Sequence, residues 1–256
     1  AWCWKAGGAA VANNDGSIAS TVSANPEAGF SIVNYTSTGS AGTVGHGLGK
    51  RPKVVLIKRR TGADTNWPMW FDGISTNNDD VLQLNLDNAK ADAAAFFNSG
   101  NTTTTTFPLG TGGGQTNDSD GNSDTYIAYV WAEIEGFSKF GIYDGNGDAN
   151  GPYIHCGFKP AWVMVKNADD TGGRDWGIQD STRKSTNPCD LQLKANKTDV
   201  ENSGLASSTF EIDILSNGFK VRNNTGIWNE SADSIIFMAF AEKPQFNLYG
   251  ASSNPQ

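Results

Sequence analysis

The sequence predicts an all-β protein built as two tandem, duplicated antiparallel β-sandwiches of jelly-roll or lectin-like type. Three observations predict it: a phrase written twice, period-2 alternation of apolar residues, and a composition rich in turn formers. The chain has 256 residues, enough for one large domain or two of ordinary size. Charged residues make up 18%, below the usual level of about a quarter. Gly, Ser, Thr and Asn fill the difference.

The repeated phrase is RPKVVLIK at 51–58 and KPAWVMVK at 159–166. Pro52 and Pro160 lie 108 residues apart (160 − 52), and so do Lys58 and Lys166 (166 − 58). Gly29-Phe30-Ser31 recurs as Gly136-Phe137-Ser138 at a spacing of 107 (136 − 29). Tyr35 followed by TSTGS answers Tyr143 followed by DGNGD. Trp67 matches Trp176 at 109 (176 − 67), as Leu82-Gln83-Leu84 matches Leu191-Gln192-Leu193 and IAYVWAE matches IFMAFAE. Landmarks kept in order at nearly constant spacing mark a tandem duplication, with repeat 1 at 29–135 and repeat 2 at 136–244. Residues 1–28 read as an extended N-terminal arm or linker, in which Trp2 and Trp4 share a face and dock. Residues 245–256 read as a C-terminal tail.

Element by element, Phe30 and Ile32 open an alternating strand, and Val54–Ile57 is a short β-branched run. Trp67, Met69 and Phe71 alternate with Pro68, Trp70 and Asp72; Leu82, Leu84 and Leu86 alternate with polar residues. Phe210, Ile212 and Ile214 do the same in the second repeat. The residue before each proline is pushed towards extended geometry, which sets where the twin strands begin. DNAKADAAAFFN at 87–98 allows a short helix or turn, and its counterpart at 194–204 is weaker. The twin phrases are equivalent inner strands, with Trp162 and Met164 standing where Val54 and Leu56 stand. The second copy is therefore expected to have the bulkier core around that strand.

A net charge of -8 argues against a nucleic-acid surface, which needs clustered cations. The run Lys50, Arg51, Lys53, Lys58, Arg59 and Arg60 flanks a strand and reads as solvated strand ends. No apolar stretch approaches the roughly 18–20 residues that span a bilayer. Cys3, Cys156 and Cys189 are an odd number and do not form a disulfide framework. The chain does not open with Met, which fits a processed product or a piece of something longer.

Chemistry is sparse. His46 and His155 fall at nearly matching places before the proline-led strands and read as sharing a structural role in that turn. No nucleophile motif accompanies them. Glu133 and Glu135 share a strand face, and Glu242 repeats the first, so a capping role is preferred to paired-carboxylate catalysis. The acidic loop DSDGNSD places Asp118, Asp120, Asn122 and Asp124 at alternate positions around Gly121, the oxygen pattern Ca²⁺ prefers. An Asp/Gly/Asn hairpin turn explains the same residues. Trp67, Trp162 and Trp176 read as core. Trp70, on the opposite face of its strand, and Trp228, in a loop, are the two candidates for stacking on a sugar ring.

The phrases GFSIVNYTSTGS, TVGHGLGKRPKVVLIKRR, SDTYIAYVWAEIEGFSKFGIYDGNGDANGPYIHCGFKPAWVMVK, DILSNGFKVR and MAFAEKP resemble an uncharacterised domain of tailed bacteriophages. That domain occurs in tail-fibre and other virion structural proteins, often after a concanavalin-A-like lectin domain. The resemblance covers residues 1 to about 244. It implies a non-enzymatic part of the virion surface: a tail fibre, head fibre or capsid decoration. Such a part assembles with itself, threefold symmetry being common among phage fibres, and with other virion proteins. The alternative is a host-glycan-binding module for attachment, and a third reading is a polysaccharide-cleaving spike. The resemblance transfers no site residues. Edge strands and the run at 102–106 are the expected contact surfaces.

Overall fold

A computed structural model describes residues 2–77, 79–98, 100–118, 123–201 and 207–242. The architecture is predominantly antiparallel β, and the chain divides into two compact units. Among the described residues, unit 1 holds those of 2–83 and 90–133, and unit 2 holds those of 84–89 and 134–242. Residues 84–89 thus lie within the first repeat in sequence and with the second in space.

In unit 1 the strands are β1 (Val11–Asn13), β2 (Ser20–Asn25), β3 (Phe30–Thr36), β4 (Gly42–Gly45), β5 (Val54–Arg59), β6 (Pro68–Phe71), β7 (Asp80–Gln83), β8 (Ala91–Asp92), β9 (Thr106–Leu109) and β10 (Thr125–Trp131). One short helical turn, α1 (Ala94–Phe97), stands inside the segment expected to allow it. An eight-stranded sheet runs in the order β1-β2-β3-β10-β5-β6-β7-β8, and β4 pairs with β9. The central strand β10 alternates from Thr125 to Val130. Tyr126, Ala128 and Val130 enter the same core as Val33 and Tyr35 of β3, Val55 and Ile57 of β5, and Trp70 of β6. Val44, Phe107 and Leu109 from the β4–β9 pair complete that core. Each such side chain, buried in full, contributes about 1.5–3 kcal/mol.

Unit 2 contains β11 (Ser138–Asp144), β12 (Tyr153–His155), β13 (Pro160–Asn167), β14 (Gly177–Asp180), β15 (Leu193–Lys194), β16 (Ile212–Leu215), β17 (Gly218–Val221) and β18 (Ser234–Ala241). Its larger sheet runs β11-β18-β13-β14-β15 and its smaller one β12-β17-β16. Matching β3 to β11, β10 to β18, β5 to β13, β6 to β14 and β7 to β15 gives the same order of neighbours in both larger sheets. The register refines the sequence alignment by one residue. Phe30 faces Trp131, while Ser138 faces Phe240, so Phe30 corresponds to Ser138 and not to Phe137.

Two expectations are corrected. Part of the 1–28 arm is sheet: β2 pairs with β3 over Ser20–Asn25, and Ile18 is buried in the core. The core of unit 2 takes Val163 and Val165 from β13, as that of unit 1 takes Val55 and Ile57 from β5. Trp162 and Met164 therefore lie on the face opposite that core, where the Trp162 ring meets Phe240 at 5.7 Å between centroids. The extra bulk is real but sits on the other side of the strand. The segment 194–204, which allowed at most a short helix or turn, follows the strand Leu193–Lys194 with a turn at 195–196, and residues 202–206 lie outside the described residues.

Candidate functional site

Both units build one polar cluster from equivalent residues. Tyr35 stands near the end of β3 and Tyr143 near the end of β11, each pointing into its core. The Tyr35 hydroxyl donates to the carbonyl of Thr116 at 2.7 Å, and that of Tyr143 to the carbonyl of Trp228 at 2.7 Å. The next residue in each case is a fully buried asparagine, Asn117 or Asn229. Asn117 Oδ1 accepts from the backbone N–H of Thr38 at 2.9 Å, and its Nδ2 donates to the carbonyls of Ser40 at 2.8 Å and Gly110 at 2.9 Å. Asn229 Oδ1 accepts from Asn146 N–H at 2.8 Å, and its Nδ2 donates to the carbonyls of Asp148 at 2.7 Å and Asn223 at 2.8 Å. Each asparagine ties the turn after its tyrosine strand to a neighbouring loop. Burial raises the pKa of both tyrosines well above the usual phenol range, with Tyr126 adding to the effect at Tyr35. Both hydroxyls stay protonated donors. Only a comparison of structural register could have revealed these partners, because the two asparagines stand 112 residues apart (229 − 117), outside the 107–109 spacing of the sequence landmarks.

The acidic loop of unit 1 meets a buried cation. Arg59, last residue of β5, forms ion pairs through Nη2 with Asp118 at 2.7 Å and with Asp124. Its Nε donates to the Thr61 carbonyl at 2.9 Å, and the Thr61 hydroxyl donates to Asp124 Oδ1 at 2.9 Å. Burial opposes the Arg59 charge, but the hydrogen bond to Asp124 and the nearby charges outweigh it and raise its pKa. Both carboxylates described in this loop are thus engaged by Arg59. Asp120 and Asn122 lie outside the described residues. Among the described residues no group of three or more His, Cys, Asp or Glu side chains is gathered to hold a metal.

The two tryptophans expected to offer a stacking face do not. Trp70 is 1% exposed and belongs to the unit 1 core. Trp228 is 0% exposed, and its Nε1 donates to Gln192 Oε1 at 2.5 Å. Their apolar rings are used for packing, which strand parity alone does not reveal when both faces of a strand are apolar.

The histidines are not equivalent either. Val44 faces Phe107 and Ile154 faces Phe219; one step on, the His46 N–H donates to the Thr105 carbonyl and the Cys156 N–H to the Asn217 carbonyl. His46 therefore corresponds to Cys156, and His155 to Gly45. Two extra residues between β11 and β12 obscure this in the sequence. His46 is fully buried, and burial lowers its pKa to about 4 against smaller opposing effects of the Thr103 carbonyl and Asp15. His155 is exposed. Glu133 is half-buried, while Glu135 and Glu242 are exposed. Cys156 and Cys189 are in the unit 2 core and Cys3 is exposed, with no disulfide among them.

Sequence reading also missed Lys166, the lysine that closes the second phrase. It is fully buried in unit 2, and its Nζ donates to the carbonyls of Asn167 at 2.7 Å and Asp87 at 3.2 Å. Burial lowers its pKa to about 8, partly offset by Asp87, Asp170 and Asp175. The indole of Trp176 donates to the Leu86 carbonyl at 3.1 Å, and Arg174 N–H to that of Asp87 at 2.9 Å. These bonds explain why residues 84–89 belong to unit 2.

Fold and site together define a protein of two antiparallel β units with a recurring buried Tyr–Asn clamp. The chain belongs to the family described as a domain of unknown function, DUF7483, which matches residues 1–244. No curated protein and no solved structure matches it.

Proposed function

We propose that the chain is a non-enzymatic structural protein of a tailed-phage virion, made of two copies of one β-sandwich and placed on the particle surface. It assembles with itself and with other virion proteins as part of a tail fibre, head fibre or decoration. The observation that carries this reading is the duplicated clamp: in both units buried polar groups fasten loops to strands. Of the groups that the sequence singled out for chemistry, Trp70 and Trp228 are buried in packing and Asp118 and Asp124 pair with Arg59. Repetition of a stiff unit supplies length and surface, and the phage resemblance of the sequence supplies the setting. A glycan array combined with light scattering tests the reading. A stable multimer that binds no host polysaccharide is expected; saturable binding to one polysaccharide would replace the structural role with attachment.

A further inference from the structure

The two units treat one equivalent strand edge differently. In unit 1 the outward edge of β4 is covered. Ile18 forms a parallel bridge with Val44, its N–H donating to the Thr43 carbonyl at 2.9 Å. Thr43 N–H donates to Ser17 Oγ at 3.0 Å, and the Ser20 hydroxyl donates to the Gly45 carbonyl at 3.2 Å. The covering chain lies so close that a Cβ on Gly45 would stand 1.7 Å from Asn13 Oδ1, and one on Gly42 2.7 Å from Ser17 Oγ. That explains the residues GTVG there.

The equivalent strand β12 is an edge strand paired only with β17. The bonds on either side, Val221 N–H to Pro152 O and Cys156 N–H to Asn217 O, turn the even-numbered residues towards β17. The N–H and C=O groups of Tyr153 and His155 therefore point outward, and among the described residues no backbone partner meets them. Where the covered edge has glycine at 45, this edge has His155. Tyr153 is 45% exposed and its hydroxyl lies 3.3 Å from His155 Nδ1. Among the described residues unit 2 offers no covering segment of its own, for a simple reason. The residues that would supply it, those just before β11, are occupied as β10 of unit 1.

We infer that the β12 edge is a self-association surface that pairs antiparallel with β12 of a second copy of this chain. The edge is self-complementary: with Ile154 on the twofold axis, Tyr153 faces the partner's His155 and exchanges two hydrogen bonds with it, twice over. Gly151, buried and with its carbonyl taken by Lys220 Nζ at 2.7 Å, on one side and Gly157, at φ +80° with its N–H bonded to the Asn217 carbonyl, on the other confine the outward edge to these three residues. In the joined sheet the row of side chains would run Lys220, Tyr153, then the partner's His155, with no like charges adjacent. A three-residue edge is far smaller than the roughly 1,200 Å² of a stable complex, so the contact is weak in a pair and gains strength where many copies are held together. The inference rests on the self-assembly part of the proposed function.

Covalent capture tests it, in a Cys3→Ser background. Tyr153→Cys and His155→Cys proteins are mixed and oxidised. The register places these positions opposite each other, with Cα atoms about 5.5 Å apart, within disulfide reach. Two copies of the same variant put their cysteines one diagonal step apart, about 9 Å, outside it. The mixed dimer should exceed both homodimers several-fold beyond the statistical ratio. Adding His155→Pro to the Tyr153→Cys protein removes an outward N–H while sparing the β17 pairing, and should abolish the excess, with circular dichroism confirming the fold. A statistical ratio, or an excess untouched by the proline, overturns the inference. Failure here leaves the virion role standing, whereas absence of the chain from particles removes that role whatever the cross-linking shows.

Discussion

Replacing Asn229 with Ala removes the centre of the unit 2 clamp. Three backbone groups lose their partner: the N–H of Asn146 and the carbonyls of Asp148 and Asn223. Asn229 itself is fully buried, so water does not readily replace the amide at the Asn223 carbonyl, whereas Asn146 and Asp148 stand in an exposed turn. At about 1 kcal/mol for each lost bond, the expected loss is about 3 kcal/mol. Asn117→Ala removes the three corresponding backbone bonds in unit 1, to the N–H of Thr38 and the carbonyls of Ser40 and Gly110, though not a fourth like that from Asn229 Nδ2 to Asn146 Oδ1, and should cost a similar amount. Urea unfolding followed by circular dichroism reads both losses. A loss below about 1 kcal/mol in either variant, or a large loss in one and none in the other, would refute the equivalence of the two clamps.

Arg59→Met leaves the buried carboxylates of Asp118 and Asp124 without their cation and should cost about 3–5 kcal/mol; an unchanged urea midpoint would show that the ion cluster is dispensable. His46 is buried neutral with a pKa of about 4, below its unfolded value, so the unfolded chain binds more protons between about pH 6.5 and 4. Its contribution to stability is complete above that window and falls by about 3 kcal/mol as the pH drops through it; His46→Gln should flatten this slope, measured as unfolding free energy against pH. Lys166 is held near pKa 8, so the penalty for burying its charge is full below pH 8 and vanishes as the pH rises to about 10.5. Wild type should gain about 3 kcal/mol over that range relative to Lys166→Met, and parallel stability curves would contradict the assignment.

Much of the fold was legible because its signals are local. Pro160 and Lys166 bound β13 within one residue, and the alternation in TYIAYVW places Tyr126, Ala128 and Val130 in the core as strand parity demands. The repeat spacing anticipated the common strand order of the two larger sheets. What stayed hidden depends on pairing between distant residues. In β5 and β13 both parities are apolar, so sequence does not say that Val55 and Val163 face the core while Val54 and Trp162 face away. Insertions between β11 and β12 shifted His155 off the register of His46. Arg59 lies 59 residues from Asp118 along the chain (118 − 59), and the Asp87 carbonyl lies 79 residues from Lys166 (166 − 87), distances that no short motif records. Ile18 and Val22 anchor an arm whose composition otherwise reads as linker.

Immunogold electron microscopy of purified phage particles, with antibody raised against this chain, tests the proposed role most directly. The account predicts regular labelling at one kind of surface site, in a fixed copy number per particle, confirmed by mass spectrometry of the same preparation. Intact, infectious particles that carry none of the chain would contradict it.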